Sequence, residues 1–111
     1  MAGLVTASFD APDEVRDLGG AGHAALITVG STLVRRAVYE PGWRWSRHVK
    51  PMVGTESCRS AHLVYVVSGR LAIAMDDGTT GEMGRGDVAH VPPGHDARVI
   101  GDERYTRRDR G

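Results

Sequence analysis

Four residues in the middle and near the end of the chain have side chains able to bind a metal: Glu56, Cys58, His62 and His95. Imidazole and thiolate are good ligands for zinc and other divalent first-row ions, and a shell of fewer than four protein ligands leaves room for water or a substrate. The local spacing allows some of them to point the same way. Glu56 and Cys58 fall on one face of an extended segment, and residues 95, 97 and 99 would share a face in the same manner. Each also has an ordinary reading. His62 could be a hydrogen-bonded core histidine, Cys58 a small buried hydrophobe, His95 a surface residue beside the PPG turn, and Glu56 a solvated loop residue.

The segment that must position them is His62-Leu-Val-Tyr-Val-Val67, a short apolar, β-rich run stopped by Ser68-Gly69. Alternation places His62, Val64 and Val66 on one face and Leu63, Tyr65 and Val67 on the other. Around it, from Ala24 onward, run further short β-rich stretches separated by turn signals: Ala25 to Val29, Thr32 to Tyr39, Trp43 to Val49, Pro51 to Gly54, Leu71 to Met75, Thr79 to Met83, Val88 to Val91 and Ala97 to Ile100. Asp77-Gly78 is the strongest hairpin signal, and a type I′ turn is expected there. Some eight strands punctuated by 15 glycines predict an antiparallel sandwich or barrel. Before Ala24, Pro12 to Leu18 reads either as a short helix or as an extended arm.

A chain of 111 residues fits one domain with one core. The expected organisation is an N-terminal arm over 1–23, a β-barrel over 24–106 and a short tail over 107–111. Lys plus Arg and Asp plus Glu are 14 each, so no overall field draws the chain to nucleic acid or an anionic membrane. The Arg-rich segment Arg104 to Arg110 reads as a solvated terminus. One cysteine excludes an internal disulfide. The first residues lack the pattern of a signal peptide and no apolar run reaches membrane-spanning length, so a cytoplasmic location is the default expectation.

Two segments resemble the motifs of small single-domain cupins, which are jelly-roll β-barrels. His62 and Gly69 in HLVYVVSG resemble the second half of the first motif, and Gly86, Pro92 and Gly94 in GDVAHVPPG match the second. The metal-binding members carry two histidines and a glutamate in the first motif and a third histidine in the second. Here the glutamate position is His62, the histidine pair falls on Glu56 and Cys58 or on Thr55 and Ser57, and the third histidine position is Ala97. The family's ligand set is therefore absent as written, and the residues present offer instead an altered centre: if the turn after Gly94 brings His95 inward, it meets His62 across the barrel, completed by Cys58, Glu56 or both. The resemblance implies a divalent metal, zinc or another first-row ion, above a pocket for a small organic ligand. Metal-dependent oxygenation or isomerisation is the implied chemistry, and a metal-free barrel that binds or senses a small molecule is the alternative. Trp43, Trp45, Val64 and Ala97 are the pocket residues expected. The two tryptophans either line the barrel mouth or cover an outer surface, where such barrels form homodimers. Arg44, Arg47 or Lys50 could orient a ligand carboxylate, and a charged strand face in water explains them equally well.

Overall fold

Strand β4 of the computed structural model, His62–Ser68, shows the expected alternation: His62, Val64 and Val66 are buried, while Leu63 and Tyr65 face outward. The structure describes residues 3–110. In chain order the other elements are β1 (Glu14–Asp17), β2 (Gly22–Val29), β3 (Thr32–Tyr39), two single-turn helices α1 (Trp45–His48) and α2 (Lys50–Val53), and, after β4, strands β5 (Arg70–Met75), β6 (Thr80–Gly84), β7 (Val88–Val91), β8 (His95–Ile100) and β9 (Tyr105–Arg110). All strand pairs are antiparallel. They form a six-stranded sheet in the order β1-β2-β3-β9-β4-β7 and a three-stranded sheet in the order β6-β5-β8.

One apolar core joins the two sheets, with Leu26, Tyr39, Val64, Val66 and Tyr105 from the larger and Leu71, Met83 and Val99 from the smaller. Val66, Leu71 and Tyr105 are 0% exposed. Burying each aliphatic side chain of this kind contributes about 1.5–3 kcal/mol. Tyr39, Trp43 and Tyr105 stack in a row, with ring centroids 3.8 Å apart for the first pair and 5.5 Å for Tyr39 and Tyr105.

Two glycines are required where they stand. Gly69, between β4 and β5, has φ 77°, and a Cβ there would lie 2.6 Å from the Arg104 carbonyl oxygen. Gly94, before β8, has φ 90°, and a Cβ there would lie 3.0 Å from Asp76 Oδ2. Both belong to the cupin-like segments.

Four expectations are corrected. Of the expected tail, residues 107–110 belong to β9, which lies between β3 and β4 in the larger sheet, and Gly111 lies outside the described residues. The arm is likewise partly in the sheet, since residues 14–17 form a strand paired with β2 rather than a helix. Trp43 to Val49 and Pro51 to Gly54 are not strands but a turn and two helical turns, because Pro51 at the start of α2 suits a helix and removes a strand donor. The Asp77-Gly78 hairpin forms, joining β5 to β6, but only Gly78 has positive φ. Its turn is therefore not type I′, which needs positive φ at both central residues.

Candidate metal centre

Cys58, His62 and His95 come together from three separate pieces of chain. His62 is the first inward residue of β4, paired opposite Val91. His95 opens β8 with its side chain on the buried face shared by Ala97 and Val99. Cys58 sits in the loop between α2 and β4, and backbone hydrogen bonds tie that loop to the start of β8. The Cys58 N–H donates to the His95 carbonyl at 2.7 Å, and the Gly94 N–H donates to the Cys58 carbonyl at 2.7 Å. Ser57 anchors the same loop by donating its hydroxyl to Asp76 Oδ2 at 2.8 Å.

The donor atoms of the three side chains lie within 4.8 Å of one another, with Cys58 Sγ 3.9 Å from His62 Nε2. Ligands of one tetrahedral ion, at roughly 2.0 Å for nitrogen and 2.3 Å for sulfur, stand roughly 3.3–3.6 Å apart. A contraction of a few tenths of an ångström would bring the Cys58–His62 pair to that spacing, and the remaining pairs, none farther apart than 4.8 Å, would close by about 1.5 Å at most. The tautomers also suit it. His95 Nδ1 stands 2.7 Å from the Pro92 carbonyl, so that nitrogen carries the proton and Nε2 keeps its lone pair. His62 Nδ1 faces Asp109 Oδ2 at 3.8 Å, and both atoms are buried without a hydrogen-bond partner. A carboxylate behind a ligating histidine is the usual arrangement that fixes the ring.

Burial pushes the Cys58 thiol up, but hydrogen bonds from His62 and His95, the Ser60 backbone and the charge of His95 outweigh it and bring the thiol down to about 5. Burial pushes His95 down, yet the Cys58 sulfur and the Pro92 carbonyl leave it raised. A thiolate is the form that binds metal.

Beside the three donors lies a cavity of about 340 Å³, bordered also by Trp43, Trp45, Ala97, Arg107 and Asp109. That volume is within the usual range for small-molecule sites. A larger groove of about 620 Å³ near Arg44 and Arg98 shares only Ile73 and Ala97 with this cavity and none of the three donors.

Of the expected ligands, His62, His95 and Cys58 converge and Glu56 does not. The Glu56 side chain is 88% exposed and pairs with Lys50 Nζ at 3.1 Å. Residues 56 and 57 form a bend, so the extended alternation that would have put Glu56 on the side of Cys58 does not hold, and Ser57 is the buried residue instead. Trp43, Trp45 and Ala97 border the cavity, whereas Val64 is in the filled core and does not reach it. Arg44 and Arg47 are exposed and do not line the cavity, and neither does Lys50.

Sequence reasoning missed Arg35, Arg107 and Asp109. Asp109 Oδ1 accepts from Arg35 Nε at 2.6 Å, and Asp109 Oδ2 is 3.1 Å from Arg107 Nε. Tyr105, Arg107 and Asp109 alternate on one buried face of β9, but that two-residue spacing cannot be told from a solvated charged tail without the strands that cover it.

No protein-family model and no curated protein matches the sequence. Solved structures do. KdgF from Halomonas sp. is similar over 97% of this chain and 91% of its own, with TM-score 0.62 and 13% identity. A sugar phosphate isomerase from a cupin superfamily, from Silicibacter pomeroyi, matches over 83% of this chain and 59% of its own, with TM-score 0.57 and 22% identity. A cupin-like protein from Thermotoga maritima matches over 81% and 67%, with TM-score 0.56 and 18% identity. At such identities the likeness concerns the fold, and it agrees with the sheet order and the two glycine-bearing segments: this chain has an all-β, cupin-type fold.

Proposed function

We propose that the barrel holds a divalent first-row metal through Cys58 Sγ, His62 Nε2 and His95 Nε2 and acts on a small organic molecule bound in the adjoining cavity. The observation that carries this reading is the convergence of three metal-binding donors within 4.8 Å at the edge of that cavity. Three protein ligands are the number found in catalytic zinc sites, which keep a further position for water or substrate. Bound there, the metal would supply Lewis-acid polarisation of a substrate oxygen.

The protein's own residues have defined parts. Asp109 Oδ2 stands 3.8 Å behind His62 Nδ1, and a closer approach on metal binding would let it accept from the ring and set its orientation. The Pro92 carbonyl holds the proton on His95 Nδ1, so that nitrogen is not available to shuttle one. Trp43 and Trp45, 2% and 6% exposed, give the cavity an apolar wall that excludes water. Isomerisation and oxygenation are the two reaction types such a centre would serve. The sugar phosphate isomerase among the similar structures supports the former.

Metal analysis of tag-free protein tests the reading. Wild type should carry close to one equivalent of metal after equilibration, and His62→Ala and Cys58→Ser should carry little. Negligible metal in all three would remove the centre. One observation favours a metal-free ligand-binding barrel instead: Cys58 already lies in contact with imidazole and can be stabilised without an ion. Under that reading ligands would raise the melting temperature while added metals would not.

A further inference from the structure

Around Asp109 the cavity sets two guanidiniums, Arg35 and Arg107, against one carboxylate, the Cys58 thiolate being the other anionic group on its wall. Arg16, Arg35, Arg59 and Arg107 all line it. Arg16 and Arg59 are exposed and have carboxylates of their own, Glu14 and Asp76. Arg35 and Arg107 share Asp109 alone. Arg107 is 8% exposed and Asp109 is 4% exposed. Despite its 3.1 Å separation from Asp109 Oδ2, Arg107 Nε is not aligned for a hydrogen bond and has no other partner. Its guanidinium is stacked over the Tyr39 ring, 5.4 Å from the centroid, which holds the fork in place.

A buried cation that is only half compensated is costly to fold around, and an anion arriving from solution would relieve that cost. A divalent ion held by a single thiolate would leave further positive charge beside it. The guanidinium fork matches a planar carboxylate in two parallel hydrogen bonds. The features that usually cradle phosphate are missing around the cavity: the two helices near it are single turns, too short to offer a helix N-terminus.

We propose that the cavity binds a small organic acid, with its carboxylate clamped by Arg107 and Arg35 and its apolar body against Trp43 and Trp45. The assignment deepens the reading of this cavity as the ligand site and does not require that the metal be present.

Calorimetric titration of the full-length protein tests it, using glycolate, pyruvate, malonate, succinate and benzoate, each beside its neutral amide, with inorganic phosphate as a further probe. Each is run on metal-loaded protein and on protein stripped with phenanthroline, a neutral chelator. At least one acid should bind while its amide does not, and Arg35→Gln should weaken that binding by roughly tenfold or more, the worth of a charged hydrogen bond. Arg107→Lys, which keeps the charge in the buried strand but loses the fork, should weaken it as well, with the melting temperature reporting that each variant is folded. Failure of every acid to bind, equal binding of acid and amide, equal affinity in both variants, or tighter Arg107-dependent binding of phosphate would overturn the proposal. Metal content of the same samples separates the two readings. Acid binding without metal leaves the clamp and removes the centre, and metal without acid binding does the reverse.

Discussion

Strands β4 and β9 lie side by side in the larger sheet, and each turns three side chains into the barrel. From β4 these are His62, Val64 and Val66; from β9 they are Tyr105, Arg107 and Asp109. The first row is what a core requires, with one imidazole added at its end. The second places a guanidinium and a carboxylate where a methyl group would stabilise the fold at least as well. Folding explains β4, whereas the polarity of β9 is what the proposed anion clamp would account for.

This difference sets the order of the expected effects. Asp109→Ala should be the most damaging single change, costing about 3–5 kcal/mol because it leaves Arg107 and Arg35 without their shared partner. Denaturant unfolding would measure it. Replacing Arg107 and Asp109 together by Met and Leu should cost much less than Asp109→Ala alone; an equal or larger loss would show that the charged row of β9 is structural after all. On β4, Val66→Ala deletes fully buried apolar volume and should cost about 1.5–3 kcal/mol without altering ligand binding. In the gentler Asp109→Asn, metal affinity should fall roughly 10- to 100-fold, as when other outer-shell partners of ligating histidines are removed.

The pH dependence of Cys58 gives a smaller, directional effect. Its thiol lies at about 5 in the folded chain against 9.0 for a free cysteine. The ionised form is favoured by folding, so this group's stabilisation is complete above pH 9 and is lost as the pH falls towards 5. His95, raised from 6.5, contributes in the opposite sense, complete below 6.5 and lost as the pH rises through its folded value. Because the two trends offset one another in stability, alkylation is the cleaner readout. In metal-free protein, iodoacetamide should modify Cys58 at a rate nearly constant from pH 9 to 6 and falling only near 5. A rate that halves near pH 9 and continues to fall below it would contradict the thiolate. Smallest of all, Glu56→Ala should leave metal content unchanged, since that side chain points to solvent.

The β4 row was legible in the sequence because apolar alternation and a Ser-Gly stop identify a strand and its inner face. The Gly69 and Gly94 positions were legible for a related reason: positive φ and close backbone approach leave few other residues possible. His62, Cys58 and His95 could be nominated, but their meeting depends on the Cys58 to His95 backbone bridge, a long-range pairing with no local signature. The β9 row was not legible. Tyr-Thr-Arg-Arg-Asp-Arg has the composition of a solvated tail, and only burial by β3 and β4 reveals that its alternate charges face inward. Trp43 and Trp45 border the cavity, and Trp45 arrives there on a helical turn rather than on the strand that the sequence pattern suggested.

Cobalt(II) titration of tag-free, metal-stripped protein tests the central claim most directly, because thiolate ligation gives cobalt an intense near-ultraviolet charge-transfer band that imidazole and carboxylate ligands do not. The account predicts that band at one equivalent in wild type, its loss in Cys58→Ser, and weak, incomplete binding in His62→Ala and His95→Ala. A wild-type spectrum without the band, or one unchanged by Cys58→Ser, would contradict a centre built on Cys58, His62 and His95.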